Sequence, residues 1–113
     1  MCNKIEALQI RDKAYSLCKV LFADKLTDCY LYGSYARGDF DKESDIDIMM
    51  VVDLSLEDAS LYRKQVSIIA SQLSLRYDIT VSIKLQSKIV LNKYKDVLPF
   101  YQNVLNEGIR YEG

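Results

Sequence analysis

The segment from Asp45 to Val52 constrains the fold more than any other part of the sequence. Its first half alternates, because two isoleucines are interleaved with Asp45 and Asp47, and its second half is apolar at every position. Alternation is the pattern of a strand with one polar face, and a run that is apolar on both faces is typical of a strand in the middle of a sheet. The segment therefore predicts a central strand whose first residues carry two carboxylates on one face.

Hydrophobic periodicity predicts the elements around this strand. Apolar residues recur every three or four positions in two long stretches, which indicates amphipathic helices, and shorter apolar or alternating runs indicate strands. Proline can open a helix in its first turn, and glycine can end one. We predict a helix over about residues 3–26, a strand at 29–32, a short helix and loop within 35–44, a helix capped by Ser55, a strand at 77–85, a last helix from Pro99 to Gly108, and a short strand at 109–111.

Length and composition favour one small domain over residues 1–113, since the chain is 50% hydrophobic and 27% charged. A formal net charge of -1 argues against strong nucleic-acid binding. Neither a signal peptide nor an apolar run of the ~18 residues needed to span a membrane is visible. We therefore expect a cytoplasmic protein with no membrane partner. Homo-oligomerisation is left open.

Histidine is absent, which excludes histidine-based nucleophile systems, histidine general bases and histidine-containing zinc sites. The three cysteines, Cys2, Cys18 and Cys29, show no Cys-x-x-Cys spacing, which suits a reducing compartment. We interpret Cys18 and Cys29 as small buried apolar side chains.

The chemistry is concentrated between residues 33 and 47. On a strand, Asp45 and Asp47 leave the same face, and two like charges held side by side repel unless something compensates them. A divalent cation is the obvious compensation, and oxygen ligands without histidine favour Mg²⁺ or Mn²⁺ over Zn²⁺. We interpret the pair as a metal site.

Gly33 and Ser34 follow the preceding strand, where the chain turns toward a short helix. Glycine lets a ligand approach the backbone closely, and the serine hydroxyl and exposed N–H groups can hold phosphate oxygens. A carboxylate pair that binds a metal beside a turn that binds phosphate is the equipment of phosphoryl or nucleotidyl transfer.

At these residues the sequence resembles the nucleotidyltransferase superfamily that includes DNA polymerase beta, and specifically its small stand-alone members, the minimal nucleotidyltransferases. The resemblance consists of Gly33-Ser34, a ten-residue spacer, and Asp45-x-Asp47 on the next strand, together with Ala36-Arg37-Gly38. It covers nearly the whole chain. It implies an α/β (α+β) fold with a small mixed sheet backed by helices.

The resemblance also implies roles for individual residues. Asp45 and Asp47 would bind two Mg²⁺ ions, and Gly33 and Ser34 would hold the triphosphate of ATP or another nucleoside triphosphate. Asp78 would be the third carboxylate, on the strand after the second helix, where it would complete the metal site and assist deprotonation of the acceptor hydroxyl. Arg37 has two open roles, namely a contact with phosphate or an ion pair with a nearby acid.

Two functions of different classes follow from the resemblance. The first is an enzyme that transfers a nucleoside monophosphate, most simply AMP from ATP, to a hydroxyl acceptor, which the sequence does not identify. The alternative is an antitoxin with little or no catalysis, which binds and neutralises a small helical toxin of the HEPN class. A catalytic antitoxin would need all three carboxylates, whereas a purely steric one needs only a folded surface.

Overall fold

The computed structural model describes residues 2–112, which form six α-helices, one 3-10 turn and four strands. In chain order these are α1 (Lys4–Phe22), the 3-10 turn (Ala23–Lys25), β1 (Leu26–Tyr32), α2 (Ser34–Arg37), β2 (Ile46–Val52), α3 (Leu56–Ser60), α4 (Arg63–Tyr77), β3 (Val81–Ser87), α5 (Lys88–Tyr94), α6 (Pro99–Glu107) and β4 (Ile109–Arg110). Helices therefore alternate with strands along most of the chain.

The four strands form one mixed sheet in the order β3-β2-β1-β4. β1 is antiparallel to both β2 and β4, and β2 is parallel to β3. β2 lies inside the sheet, as its sequence predicts, and every residue from Ile48 to Val52 is buried. The predicted fold class, a small mixed sheet backed by helices, is confirmed.

The two faces of the sheet are covered unequally. On the first face, alternate residues of β2 pack against α1 and α4 in the main hydrophobic core. On the second face, Met49 and Val51 pack against Leu91 of α5 and Val104 of α6. Asp47 lies on this second face but outside that smaller cluster, and it stays half-buried. On the second face, the end of β2 that carries Asp47 is therefore left open, whereas α5 and α6 cover the other end.

The segment predicted as one helix after Ser55 is divided into α3 and α4. The Ser55 hydroxyl caps α3, since it accepts a hydrogen bond from the N–H of Asp58 at 3.1 Å. The N–H of Leu61 then donates to the Asp58 carbonyl and that of Tyr62 to the Ala59 carbonyl. These three-residue bonds tighten the backbone, so α3 ends at Ser60 and α4 begins at Arg63.

The third strand begins four residues later than the sequence predicts. Tyr77 is the last residue of α4, and Asp78 ends that helix with a left-handed backbone (φ 53, ψ 45), so neither lies on β3. Asp and Asn adopt this conformation more readily than other side chains, which makes Asp78 a suitable helix end. The alternating pattern of β3 extends backward to the end of α4 because Ile79 is also apolar.

Two of the cysteines are buried, as predicted. Cys18 and Cys29 have no exposed surface, and burial raises the pKa of the Cys18 thiol to about 11 and that of Cys29 to about 12. Both thiols therefore stay protonated at neutral pH. Within residues 2–112, no helix combines the length and apolar character required to cross a bilayer.

Replacing Ser74 with alanine should destabilise the junction of α4 and β3. Its hydroxyl accepts a hydrogen bond from the Val81 N–H at 2.8 Å and donates one to the Ala70 carbonyl at 2.9 Å. Leaving a partly buried N–H without its acceptor should lower the free energy of unfolding by about 1–2 kcal/mol. Ser71→Ala, at an exposed position of the same helix, should change it by less than about 0.5 kcal/mol. Urea denaturation compares the two, and equal losses would contradict this role of Ser74.

Candidate active site

The turn after β1 depends on glycine at position 33. Gly33 has φ 77 and ψ -155, a backbone conformation that is essentially restricted to glycine. Its carbonyl accepts hydrogen bonds from the N–H groups of Ala36 and Arg37, each at 3.1 Å. These bonds start α2, a single turn that ends at Gly38. The positive φ of Gly33 is therefore part of the turn that leads from β1 into α2.

The Gly33 turn lies directly against one of the paired carboxylates. β1 and β2 are antiparallel with Tyr32 opposite Asp47, so Gly33 comes just past that pair. A Cβ atom placed on Gly33 would be 2.5 Å from Oδ2 of Asp47. No side chain fits between this backbone and the carboxylate, so the structure brings the glycine turn and Asp47 together as one site.

The charge of Asp47 is unfavourable in the absence of a cation. Burial raises the pKa of the Asp47 carboxyl above 3.8, the negative charge of Asp45 raises it further, and Arg37 opposes both effects. Asp45 precedes β2 and is exposed. A cation between these two oxygen ligands would relieve the repulsion, which is the compensation expected from the sequence.

Hydrogen-bond donors face the same position from the start of α2. Among the contacts of residues 2–112, the N–H groups of Ser34 and Tyr35 donate to no protein oxygen. The half-buried Ser34 side chain also makes no hydrogen bond within that part of the chain. Free N–H groups beside a hydroxyl are suited to the oxygens of a phosphate.

Arg37 makes the ion pairs that were one of its two open roles. Its Nε atom lies 3.2 Å from Oδ2 of Asp39, and its Nη1 atom lies 3.8 Å from Oε2 of Glu107. The side chain is 45% exposed, so both pairs are weak and exchangeable. Glu107 could not be identified from the sequence, because no local pattern indicates that the end of α6 lies near Arg37, 70 positions earlier.

The structure does not support the prediction for Asp78. The predicted strand position is wrong, because this residue ends α4 and its side chain lines a separate cavity of about 230 Å³ with Glu6, Tyr35 and Lys42. Among residues 2–112, no three acidic or cysteine side chains lie close enough together to share a metal ion. Asp78 is therefore not assembled with Asp45 and Asp47.

Ser82 occupies the position beside the paired acids on the neighbouring strand. In the parallel pairing of β2 with β3, Asp47 lies opposite Ser82, so both side chains are on the second face of the sheet. Lys84 follows on that face, and its Nζ atom lies 5.4 Å from the centre of the Phe100 ring. Alternation in the sequence puts Ser82 and Lys84 on the same polar face of the strand, but only the parallel register shows that Ser82 is next to Asp47.

Comparison with known proteins agrees with this geometry. Residues 17–110 match the family described as "Nucleotidyltransferase domain". The chain is 37% identical over 98 residues to a protein of Methanocaldococcus jannaschii that is provisionally named a protein adenylyltransferase, and the match covers 86% of this chain and 96% of the relative.

Solved structures share the fold. A toxin–antitoxin structure with AMP-PNP has a TM-score of 0.56 at 24% identity, over 88% of this chain and 70% of that one. A structure of a tri-AMPylated Shewanella oneidensis HEPN toxin in complex with MNT antitoxin has a TM-score of 0.53 at 21% identity, over 92% and 70%. At these identities the likeness establishes the fold alone.

Gly33→Ala and Gly38→Ala form a matched pair that separates backbone strain from the position of Asp47. Both glycines have positive φ, so either alanine should lower the free energy of unfolding by about 1–2 kcal/mol. A Cβ at Gly38 would meet nothing within 4 Å, whereas one at Gly33 must displace the Asp47 carboxylate. Calorimetric titration with ATP and Mg²⁺ should show lost affinity for Gly33→Ala only. Equal affinities would contradict the close approach.

Asp47→Asn should stabilise the metal-free protein at neutral pH. Because the pKa of Asp47 is raised in the folded state, the folded parent binds more protons than the unfolded chain, and its stability falls as the pH rises from about 3.8 through the raised pKa. The variant has no such loss, so its advantage should be full at pH 7 and vanish near pH 3. Urea denaturation with a chelator measures it, and Asp53→Asn, at an exposed position after β2, is the control. An advantage independent of pH would contradict the assignment.

Proposed function

Because the chain belongs to the nucleotidyltransferase domain family, we propose that this nucleotidyltransferase moves AMP from ATP to a hydroxyl group of another protein. One observation carries the proposal, namely the contact between the Asp47 carboxylate and the backbone of Gly33. It supports the proposal because a carboxylate that could bind a metal lies beside backbone N–H groups that could hold phosphate oxygens. Transfer of a nucleotidyl group needs a metal ligand and phosphate donors at the same site, because the metal and the triphosphate are bound together.

The donor set fits Mg²⁺. Asp45 and Asp47 offer only oxygen, repel each other, and leave room on the open second face for phosphate oxygens and water to complete the coordination. Mg²⁺ characteristically takes one or two carboxylates together with substrate phosphates, and Mn²⁺ accepts similar ligands. When bound there, the metal would neutralise charge that develops on the phosphates. We propose two such ions, held by the two aspartates.

The residues of the chain have separate tasks in this scheme. The N–H groups of Ser34 and Tyr35, with the Ser34 hydroxyl, hold the triphosphate, and Arg37 can exchange its weak ion pairs for a phosphate oxygen. The acceptor hydroxyl gives its proton to solvent and its oxygen bonds to the α-phosphorus. The bond from the α-phosphorus to the oxygen of the β-phosphate breaks, and pyrophosphate leaves. A protein hydroxyl is proposed as acceptor because the curated relative is named for protein adenylylation. The buried free thiols of Cys18 and Cys29 suit the cytoplasm, where ATP is made.

A second candidate function is neutralisation of a HEPN-class toxin with little or no catalysis. The observation that favours it is Ser82, an uncharged residue at the place on β3 next to Asp47. Without a third carboxylate in that position, nucleotide binding can persist while transfer is slow. Structural neighbours of this chain are toxin–antitoxin complexes, so a helical partner of the HEPN class is proposed for both functions.

Substitution of the acids separates these two functions and tests the correction at Asp78. The double variant Asp45→Asn, Asp47→Asn should lose Mg²⁺-dependent AMP transfer to a HEPN-class partner by at least about 10³-fold, since the metal ligands are gone. Asp78→Asn should keep transfer within about threefold, because Asn also tolerates the left-handed helix end. Intact mass measurement of both chains after incubation with ATP and Mg²⁺ gives the readout.

Each result of that measurement has one meaning. Transfer by the parent that survives the double substitution would contradict the catalytic assignment of the paired acids. A large loss in Asp78→Asn, with the fold retained by circular dichroism, would restore Asp78 as the third carboxylate. A parent that forms a stable complex with the partner but transfers no AMP would establish the steric antitoxin instead.

A further inference from the structure

A groove of about 800 Å³ lies between α4 and the free edge of β3, and it runs along the strand from Thr80 to Leu85. Its walls carry hydroxyl groups and cations, including Arg63, Ser67, Ser71, Ser74, Ser82 and Lys84. The nucleotide site described above uses none of these side chains, so the groove needs an explanation of its own.

The floor of the groove is a strand edge with unpaired backbone groups. β3 ends the sheet, and the Thr80 carbonyl bonds to Ile46 of β2, so by alternation residues 81, 83, 85 and 87 direct their N–H and C=O groups outward. The Ser74 hydroxyl accepts a hydrogen bond from the outward N–H of Val81, and the amide of Gln86 donates to the Ser87 carbonyl.

The outward groups of Ile83 and Leu85 remain. Among the contacts of residues 2–112, no side chain bonds them, which leaves a short template that a further strand can pair with. The two ends of the template are closed by Ser74 and Gln86. An added segment is thus restricted to the middle of β3, over a length of about four or five residues.

The charges of the groove select what can occupy it. Arg63 and Lys84 are exposed, and the lining residues include no acid, although acids outnumber bases in the chain, 16 to 15. The remaining polar walls are serine and threonine hydroxyls, which can follow the polar groups of an extended backbone. An extended segment with acidic side chains complements this surface, whereas a basic segment is repelled.

The groove also reaches the candidate active site. Ser82 belongs both to the groove lining and to the row that contains Asp47. A strand added to β3 would lie two strand spacings from β2, or about 9.6 Å. Its side chain opposite Ser82 would stand on the second face of the sheet, the same side as Asp47. A hydroxyl carried by that side chain would therefore lie on the same face as the position proposed for the metal and the phosphates.

We propose that the protein acceptor is bound by strand addition. An extended segment of it pairs with Ile83 and Leu85 on the edge of β3 and places a hydroxyl residue opposite Ser82. It sets one acidic residue two positions away against Lys84 on the second face, and another, an odd number of positions away, toward Arg63 of α4 on the first face. This proposal rests on the proposed transfer of AMP to a protein hydroxyl and adds the mode by which that protein is recognised. It is a recruitment surface, separate from the residues that hold ATP.

The test uses a fluorescent ten-residue peptide of alternating valine and threonine, with one central tyrosine and two glutamates on one side of it. Anisotropy measures its binding to the full chain, with and without AMP-PNP and Mg²⁺. The same peptide with lysines in place of the glutamates is measured beside it.

Ile83→Pro removes the outward N–H without removing a bond to β2, since proline is tolerated at such edge positions. Ile83→Val keeps the N–H and serves as its control. Lys84→Glu, with Lys64→Glu outside the groove lining as control, tests the charge.

We expect the glutamate peptide to bind at least tenfold more tightly than the lysine peptide. Ile83→Pro and Lys84→Glu should each weaken binding of the glutamate peptide about tenfold, because each loses one hydrogen bond or one charge pair in a desolvated site. The two control variants should bind the peptide as the parent does. All four variants should bind ATP and Mg²⁺ with the affinity of the parent. Peptide binding that is absent, indifferent to charge or equal in Ile83→Pro and Ile83→Val would overturn strand addition.

Two further outcomes separate this proposal from others. Light scattering that shows a dimer in the parent and a monomer in Ile83→Pro would mean that the edge pairs with a second copy of the chain, which overturns the proposal. If the peptide binds as expected but receives no AMP and a HEPN-class partner receives none either, the proposed transfer fails while the recruitment surface stands.

Discussion

The close approach of the Asp47 carboxylate to the backbone of Gly33 is the constraint on which the rest of the structure depends. It exists because β1 and β2 pair with Tyr32 opposite Asp47 and because the residue after Tyr32 has no side chain. A shift of one residue in this register would turn Asp47 into the hydrophobic core and bring an isoleucine to the turn. The alternating half of β2 prevents that shift, because a slip would exchange the fully buried Ile46 and Ile48 for charged aspartates in the core.

The site is stabilised by its surroundings and not by its own contacts. Burial and the neighbouring Asp45 both disfavour the charge of Asp47, and the backbone of Gly33 is of a kind that only glycine adopts readily. The main core, formed by the first face of the sheet with α1 and α4, holds both features in place. Local strain that the surrounding packing sustains is characteristic of functional sites, where a ligand relieves it.

The sequence was sufficient where the pattern is local. The central strand and the glycine turn follow from alternation and spacing within residues 33–52, and the structure has both. The sequence also predicts that Asp45 and Asp47 share one face of that strand, but Asp45 precedes β2. The sequence was insufficient where the pairing of distant segments determines which residues become neighbours. Asp78 was assigned to a strand because the alternation of β3 extends backward into a helix end, and the place beside Asp47 belongs to Ser82 through a parallel pairing that no local pattern contains. The contact of Arg37 with Glu107 likewise depends on how α6 packs.

The most direct test of the central claim is to locate a bound metal relative to the Gly33 turn. Mn²⁺ broadens the NMR signals of nearby amides, so a titration of ¹⁵N-labelled protein with Mn²⁺ and AMP-PNP maps the site without any assay of activity. The account predicts that the amides of Gly33, Ser34, Asp47 and Ser82 broaden first, and that Asp47→Asn abolishes the effect. Broadening confined to the acidic loop at residues 39–43, or centred on Asp78, would contradict it.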